Sequence, residues 1–115
     1  MAPEKAVQYF HGKEGYNCAQ SVLKGFQTSH NVPQETIDDF KAFGGGRAEG
    51  GLCGALFAAK TLANDPAKAE KIEAEFAKIA GSLKCKEIRK IAKLSCKECV
   101  FTAAKLLIEV DEQGK

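Results

Sequence analysis

Apolar residues along the chain recur every three or four positions, which is the spacing of an amphipathic helix. Runs that alternate between apolar and polar residues, the pattern typical of a β-strand, extend over only a few positions. Helix start and stop residues divide the pattern into short segments. We predict seven helices, which begin at or near Pro3, Asn17, Pro33, Leu52, Asp65, Ser82 and Ser95.

The best defined segment lies between Asp65 and Gly81. Asp65 is a typical N-cap, Pro66 suits the first helical position, and Gly81 can end the helix. The apolar residues at helical spacing between them are Ala69, Ile72, Phe76 and Ile79. In the segment after Ser82 the residues on one face are Cys85, Ile88 and Ile91.

Glycine dominates the connection in the middle of the chain, where six of the eleven residues from Gly44 to Gly54 are glycine. We predict a flexible connection there. A length of 115 residues suits one domain. The fold class predicted for residues 1–115 is therefore all-α, a compact single-domain bundle of about five to seven short helices.

Composition excludes several classes of protein. A hydrophobic content of 44% with 28% charged residues is too apolar for a disordered chain. No apolar run approaches the roughly 20 residues of a membrane helix, and the N-terminus lacks the pattern of a secretory signal. We therefore predict a cytoplasmic protein without a membrane partner. The net charge of only +2 predicts no nucleic-acid partner.

The five cysteines are an unusually high number for 115 residues. Their odd count and the reducing compartment argue against a disulfide scaffold and favour metal binding or redox chemistry. Four of them, Cys18, Cys53, Cys85 and Cys96, fall in the first turn of a predicted helix. A helix N-terminus stabilises a thiolate, which is the form that binds metals and reacts with redox partners. We therefore predict a cysteine site where these helix starts meet.

Cys99 follows Cys96 in a C-x-x-C pair, and on a helix both sulfurs would face the same side. Such a pair can act as a dithiol, although a thioredoxin-type motif would follow a strand. The spacings of zinc fingers and ferredoxins are absent from the sequence. Any metal site must therefore be assembled from separate segments. Inert buried thiols remain an alternative.

The surroundings of the cysteines resemble a known family. The segment YNCAQSVL at 16–23, the glycine-rich approach to CGA at 53–55, the isolated CKE at 85–87 and Cys96 occur in that order. They are similar to the redox-active protein family named for its C, GCAxxG, C and C cysteine pattern. The resemblance spans almost the whole chain. The chain departs from the pattern at Ala58, where relatives commonly have glycine, and at Cys99.

The resemblance implies a small helical bundle with a redox-active or metal-binding cysteine site. A similar domain in split-Soret cytochromes is associated with an iron–sulfur cluster. Matching motif by motif gives the role of cofactor and metal ligand to Cys18, Cys53, Cys85 and Cys96. Cys99 leaves the identity of the fourth ligand open.

Two functional hypotheses follow. In the first, the four thiolates hold an iron–sulfur cluster, with 2Fe–2S favoured, or zinc, and the protein transfers electrons to or from a redox partner protein or a small electron donor. In the second, the protein is a thiol–disulfide oxidoreductase that uses Cys96 and Cys99. Enzymatic activity and assembly into a homodimer are left open by the sequence.

Overall fold

Helices make up nearly all of the chain that the structure describes. The structure is a computed structural model, and it describes residues 3–10, 15–43, 51–63, 65–91 and 95–113. The predicted glycine-rich connection lies mostly at 44–50, outside these residues. In chain order the elements are α1 (Pro3–Tyr9), α2 (Cys18–Gly25), α3 (Gln27–His30), α4 (Gln34–Asp39), a 3₁₀ turn (Phe40–Phe43), α5 (Gly54–Ala63), α6 (Pro66–Ala80), α7 (Cys85–Ile91) and α8 (Cys96–Gln113).

Each of the seven predicted helices is present, and the all-α fold class is confirmed. The described residues form no β-strand, only the isolated bridges between Phe10 and Tyr16 and between Leu52 and Lys84. The predicted boundaries of α6 are confirmed as well. The Asp65 side chain accepts a hydrogen bond from the backbone N–H of Ala67 at 2.9 Å, and Gly81 ends the helix in the left-handed conformation.

The start of α7 differs from the prediction. The helix begins at Cys85, and the carbonyl of Lys84 accepts its first intrahelical bond from the N–H of Ile88. The Ser82 hydroxyl accepts instead from the N–H of Lys84, at 3.2 Å, and so closes a turn ahead of the helix. A serine favours such local turns as much as it favours caps, so the sequence alone does not distinguish the two.

The short helix α3 is not predicted by the sequence. It spans only four residues and has no side-chain cap. Phe26 is both the C-cap of α2 and the N-cap of α3. The C-cap of α3 is Asn31, which has the left-handed conformation with φ 51°. One turn of helix is too short to show a hydrophobic period, which explains why pattern analysis misses it.

The central helix of the fold is α5, which packs against α2, α6 and α8. Its alanines, Ala55, Ala58 and Ala59, are fully buried and let the neighbouring helices approach closely. Ala58, which stands where relatives commonly have glycine, is therefore a core residue. The largest fully buried side chains around α5 are Phe26, Phe76, Leu23, Ile37, Leu56, Ile72 and Leu107.

Two apolar residues on predicted stripes face solvent rather than the core. Ile79 is exposed at the end of α6, where the adjacent Ala80 takes the buried position. Ile91 is exposed at the end of α7, although Cys85 and Ile88 of the same stripe are buried. Both isoleucines lie in the last turn of their helix.

Gly25 sets the distance between α1 and α2. A Cβ atom at this position would lie 2.8 Å from the Cα and 2.9 Å from the Cβ of Ala6. We expect Gly25→Ala to destabilise the protein by about 1–3 kcal/mol, because overpacking outweighs the gain of about 1 kcal/mol in helix propensity. Urea unfolding of the wild-type chain and the variant measures this. An unchanged or raised midpoint would contradict the close approach.

No helix within the described ranges combines the length and the apolar composition needed to cross a membrane.

Candidate functional site

The four predicted cysteines share one local setting, the start of a helix. Cys18, Cys85 and Cys96 are the first residues of α2, α7 and α8. Cys53 directly precedes α5, and its carbonyl accepts a bond from the N–H of Phe57 at 2.9 Å. The predicted placement of all four at helix starts is confirmed. Partial positive charge from the backbone N–H groups is therefore available beside each of these residues.

The described cysteine side chains are inside the protein. Cys18 and Cys85 are each 7% exposed, Cys53 is 4% exposed and Cys99 is 3% exposed. Cys18, Cys53 and Cys99 belong to the apolar core, whereas Cys85 is buried outside that cluster. The side chain of Cys96 lies outside the described part of the structure. Bulk water is therefore largely excluded from the four described sulfurs.

A backbone bridge ties the start of α5 to the start of α7. Leu52 pairs antiparallel with Lys84, and the N–H of Cys53 donates to the carbonyl of Leu83 at 2.9 Å. Cys53 and Cys85 each directly follow one partner of the bridge. The bridge and this bond hold the segments that lead into Cys53 and Cys85 beside each other. The structure thus brings two of the predicted site residues close together.

The start of α2 is fixed by a capping box. The Asn17 side chain accepts a bond from the N–H of Gln20 at 2.8 Å, and the Gln20 side chain accepts from the N–H of Asn17 at 3.1 Å. The Ser21 hydroxyl donates to the carbonyl of Asn17 at 2.7 Å. Cys18 lies between Asn17 and its two bonding partners, Gln20 and Ser21, so these bonds fix the backbone on both sides of Cys18.

The side-chain amides of Asn17 and Gln20 also bond to a second segment of the chain. The Asn17 side-chain NH₂ donates to the carbonyls of Phe40 and Lys41, at 3.3 and 3.0 Å. The Gln20 NH₂ donates to the carbonyl of Ile37 at 3.0 Å and is buried. These carbonyls lie near the end of α4 and in the 3₁₀ turn. The start of α2 is therefore fixed against the chain that leads into the glycine-rich residues.

The start of α8 carries a second capping box. The Ser95 hydroxyl accepts from the N–H of Glu98 at 3.1 Å, and the Glu98 carboxylate accepts from the N–H of Ser95 at 2.9 Å. The N–H of Cys99 donates to the carbonyl of Ser95 at 2.9 Å, which places Cys99 at the end of this first turn. Whether its sulfur and that of Cys96 share a side stays a prediction.

A comparison with protein families decides what this arrangement belongs to. The family model described as "Putative redox-active protein (C_GCAxxG_C_C)" matches residues 16–110. The chain belongs to this family. The resemblance expected from the cysteine motifs is thereby confirmed, and the matched span includes all five cysteines. No curated protein and no solved structure matches the chain.

In this C_GCAxxG_C_C protein the described side chains do not form a metal site by themselves. Among them, with Cys96 outside the set, no three cysteine, histidine or acidic residues are gathered where they could hold a metal ion. His30, which the sequence does not favour as a ligand, packs edge-on against Phe26 at 5.3 Å between ring centroids. The ligand roles of Cys18, Cys53, Cys85 and Cys96 therefore stay predictions.

The long-range contacts that hold the helix starts of this C_GCAxxG_C_C protein do not follow from local sequence patterns. The pairing of Asn17 with Gln20 follows a local pattern, but the carbonyls that Asn17 reaches are 23 and 24 positions away. The bridge between Leu52 and Lys84 joins two segments with no strand pattern. One signal is present in the sequence. The side chain of Asn17 has both an acceptor, which can cap α2, and an NH₂ donor, which can make a further contact.

The cap of α8 makes the stability of this helix start dependent on pH. The backbone N–H of Ser95 and then its hydroxyl lower the pKa of Glu98 from its ordinary value of 4.5. A carboxyl with a lowered pKa in the folded state stabilises the fold above its unfolded pKa, and this stabilisation is lost as the pH falls through the folded value. We therefore expect the start of α8 to weaken below about pH 4.5.

Amide hydrogen exchange at Cys99 against pH measures this loss, because its N–H closes the first turn. Glu98→Gln keeps a side-chain acceptor without a titrating group, so its protection should change less between pH 5 and pH 3. The same pH profile in both proteins would contradict the role of the carboxylate.

Proposed function

We propose that this protein is an electron-transfer protein that holds an iron–sulfur cluster on the thiolates of Cys18, Cys53, Cys85 and Cys96. A two-iron cluster is the favoured form, and zinc is the alternative occupant of the same ligands. The observation that supports this most is that all four cysteines stand at helix starts. Placement at helix starts is expected for cysteines whose negatively charged thiolates meet at one site, because a helix N-terminus stabilises a thiolate.

The donor set fits the proposed group in its chemistry. Thiolates are the usual ligands of iron–sulfur clusters and of structural zinc, and a set of four satisfies either. The described side chains, Cys18, Cys53 and Cys85 among them, are not gathered as three ligands of one metal ion, so the proposal rests on the chemistry and the helix-start placement of the cysteines. When bound, the cluster supplies a reversible one-electron couple.

The protein residues around the cysteines have two tasks in this proposal. The helix starts provide N–H groups that stabilise negative charge on sulfur, and hydrogen bonds of this kind tune the reduction potential. Burial of Cys18, Cys53 and Cys85 to 7% exposure or less excludes water from the sulfurs. Two sets of contacts hold three of the four helix starts in place. The Asn17 side chain bonds the start of α2 to the 3₁₀ turn, and the Leu52–Lys84 bridge joins the starts of α5 and α7.

A dithiol activity of Cys96 and Cys99 is the second candidate, and their C-x-x-C spacing at the start of α8 favours it. In thiol–disulfide exchange the two thiols would become one disulfide, while a disulfide of the substrate takes up the two electrons and two protons and becomes two thiols. Cβ atoms three positions apart on a helix are about 5–6 Å from each other, whereas a disulfide needs about 3.5–4.5 Å. The first turn of α8 would have to distort, which makes the thiolate site the stronger proposal.

Metal and sulfide analysis of freshly purified protein tests the proposal. The protein is purified without oxygen, and iron, zinc and acid-labile sulfide are quantified per chain. We expect iron and sulfide together with absorbance between about 400 and 600 nm, from charge transfer between sulfur and iron. A protein that stays colourless and takes up no iron after reconstitution with iron and sulfide would overturn the electron-transfer proposal, and zinc found alone would indicate a structural metal site instead. We further propose that the protein works in the reducing cytoplasm with a redox partner protein or a small electron donor.

A further inference from the structure

The outer side of α7 and the adjoining start of α8 concentrate the positive charge of the protein. Between positions 84 and 98 the sequence has six basic and two acidic residues, a net charge of +4. Since the whole chain has a net charge of +2, the remaining residues together carry −2. We define the basic face by the exposed lysines before and on α7, which are Lys84, Lys86 and Lys90. This charge asymmetry coincides with the segment that holds Cys85 and Cys96.

The helix α7 separates a buried cysteine from this basic face. Cys85 and Ile88 are buried on its inner side, whereas Lys86, Glu87 and Lys90 are exposed on its outer side. An α-helix with its side chains is about 10–12 Å across. A molecule bound to the outer side of α7 would therefore be separated from the Cys85 sulfur by the width of one helix.

We propose that the basic face is the docking surface for an acidic electron-transfer protein, an inference that rests on the proposed function. Positive potential around the redox site would steer a negatively charged partner and orient it over α7. On docking, one electron passes from the reduced partner to the oxidised cysteine site. The partner is oxidised, the site is reduced, and no bond is made or broken.

An acidic protein fits this surface better than a nucleic acid or a lipid membrane does. Ile91 is 51% exposed beside the lysines, and an apolar side chain within a charged rim is typical of a protein interface. The small net charge of the whole chain also differs from that of typical nucleic-acid binders.

Charge reversal on α7 tests the docking surface. The double variant Lys86→Glu/Lys90→Glu changes the outer side of α7, and Lys5→Glu/Lys105→Glu is the matched control, since both of its lysines are exposed on α1 and α8. The probe is a purified acidic two-iron ferredoxin, and its binding to each full-length protein is measured by calorimetry at about 20 and 200 mM salt. A DNA duplex and vesicles containing phosphatidylserine serve as competing probes.

We expect the α7 variant to bind the ferredoxin at least about tenfold more weakly at low salt, and the control variant to stay within about twofold of wild type. High salt should weaken wild-type binding most. The proposal would be overturned by equal losses of affinity in both variants or by no loss in the α7 variant. Tighter binding of DNA or vesicles than of the ferredoxin would also overturn it.

Electron transfer is followed separately by anaerobic stopped flow. Binding that depends on α7 without electron transfer would overturn the proposed function and leave the docking surface standing.

Discussion

Replacing Cys53 with serine should remove almost all bound iron and sulfide, and replacing Cys99 should remove almost none. Cys53 stands at a helix start and is tied by its backbone N–H to the segment before Cys85. Cys99 lies at the end of the first turn of α8, below the helix start. A serine hydroxyl does not replace a thiolate as a ligand for iron or zinc, because these metals prefer soft sulfur donors here.

The experiment compares single cysteine-to-serine variants at all five positions. Iron, zinc and sulfide per chain and the visible absorbance are measured after anaerobic purification, and circular dichroism checks that each variant is folded. The four variants expected to lose the metal are those at Cys18, Cys53, Cys85 and Cys96.

The Cys99→Ser variant is the matched control in this set, since it also removes a buried thiol from the core. If Cys99→Ser loses the metal and Cys96→Ser keeps it, the fourth ligand is Cys99 and our assignment is wrong. If no folded variant loses metal, the cysteines are not its ligands. A variant at Cys99 that keeps the metal but loses thiol–disulfide exchange would instead favour the dithiol activity.

Helices of this fold are predictable from sequence where their ends carry strong local chemistry. Asp65, Pro66 and Gly81 define both ends of α6, and the pairs at Asn17 and Ser95 define the starts of α2 and α8. Caps satisfy backbone groups that the helix itself leaves without partners, so their positions depend on nearby residues alone. This is also why the placement of Cys18 and Cys96 at helix starts could be predicted.

Features that depend on the packing of distant segments could not be predicted. The start of α7 is set by the bridge between Leu52 and Lys84 as well as by its own sequence. The exposure of Ile91, which is three positions after the buried Ile88, depends on tertiary packing and not on helical spacing alone. The candidate site shares this limit: the sequence indicates which cysteines favour the thiolate form, but the bonds that fix their helix starts connect residues far apart in the chain.

Asn17 is expected to matter to both the fold and the site, and Asn17→Ser should lower the free energy of unfolding by about 2–3 kcal/mol. Serine caps a helix about as well as asparagine, so the start of α2 keeps its cap. The variant loses the two bonds that the amide donates to Phe40 and Lys41, each worth about 1 kcal/mol, with a further cost for packing. The unfolding midpoint in urea measures the change.

The equivalent change at another cap separates this role from capping alone. Asp65→Ser alters the N-cap of α6, whose side chain bonds to the nearby N–H of Ala67, and it should cost less than about 0.5 kcal/mol. In metal-loaded protein, Asn17→Ser should also accelerate loss of the visible absorbance several-fold, because the start of α2 that carries Cys18 is no longer fixed against the 3₁₀ turn. Equal destabilisation by both variants, or an unchanged rate of absorbance loss in Asn17→Ser, would reduce Asn17 to an ordinary helix cap.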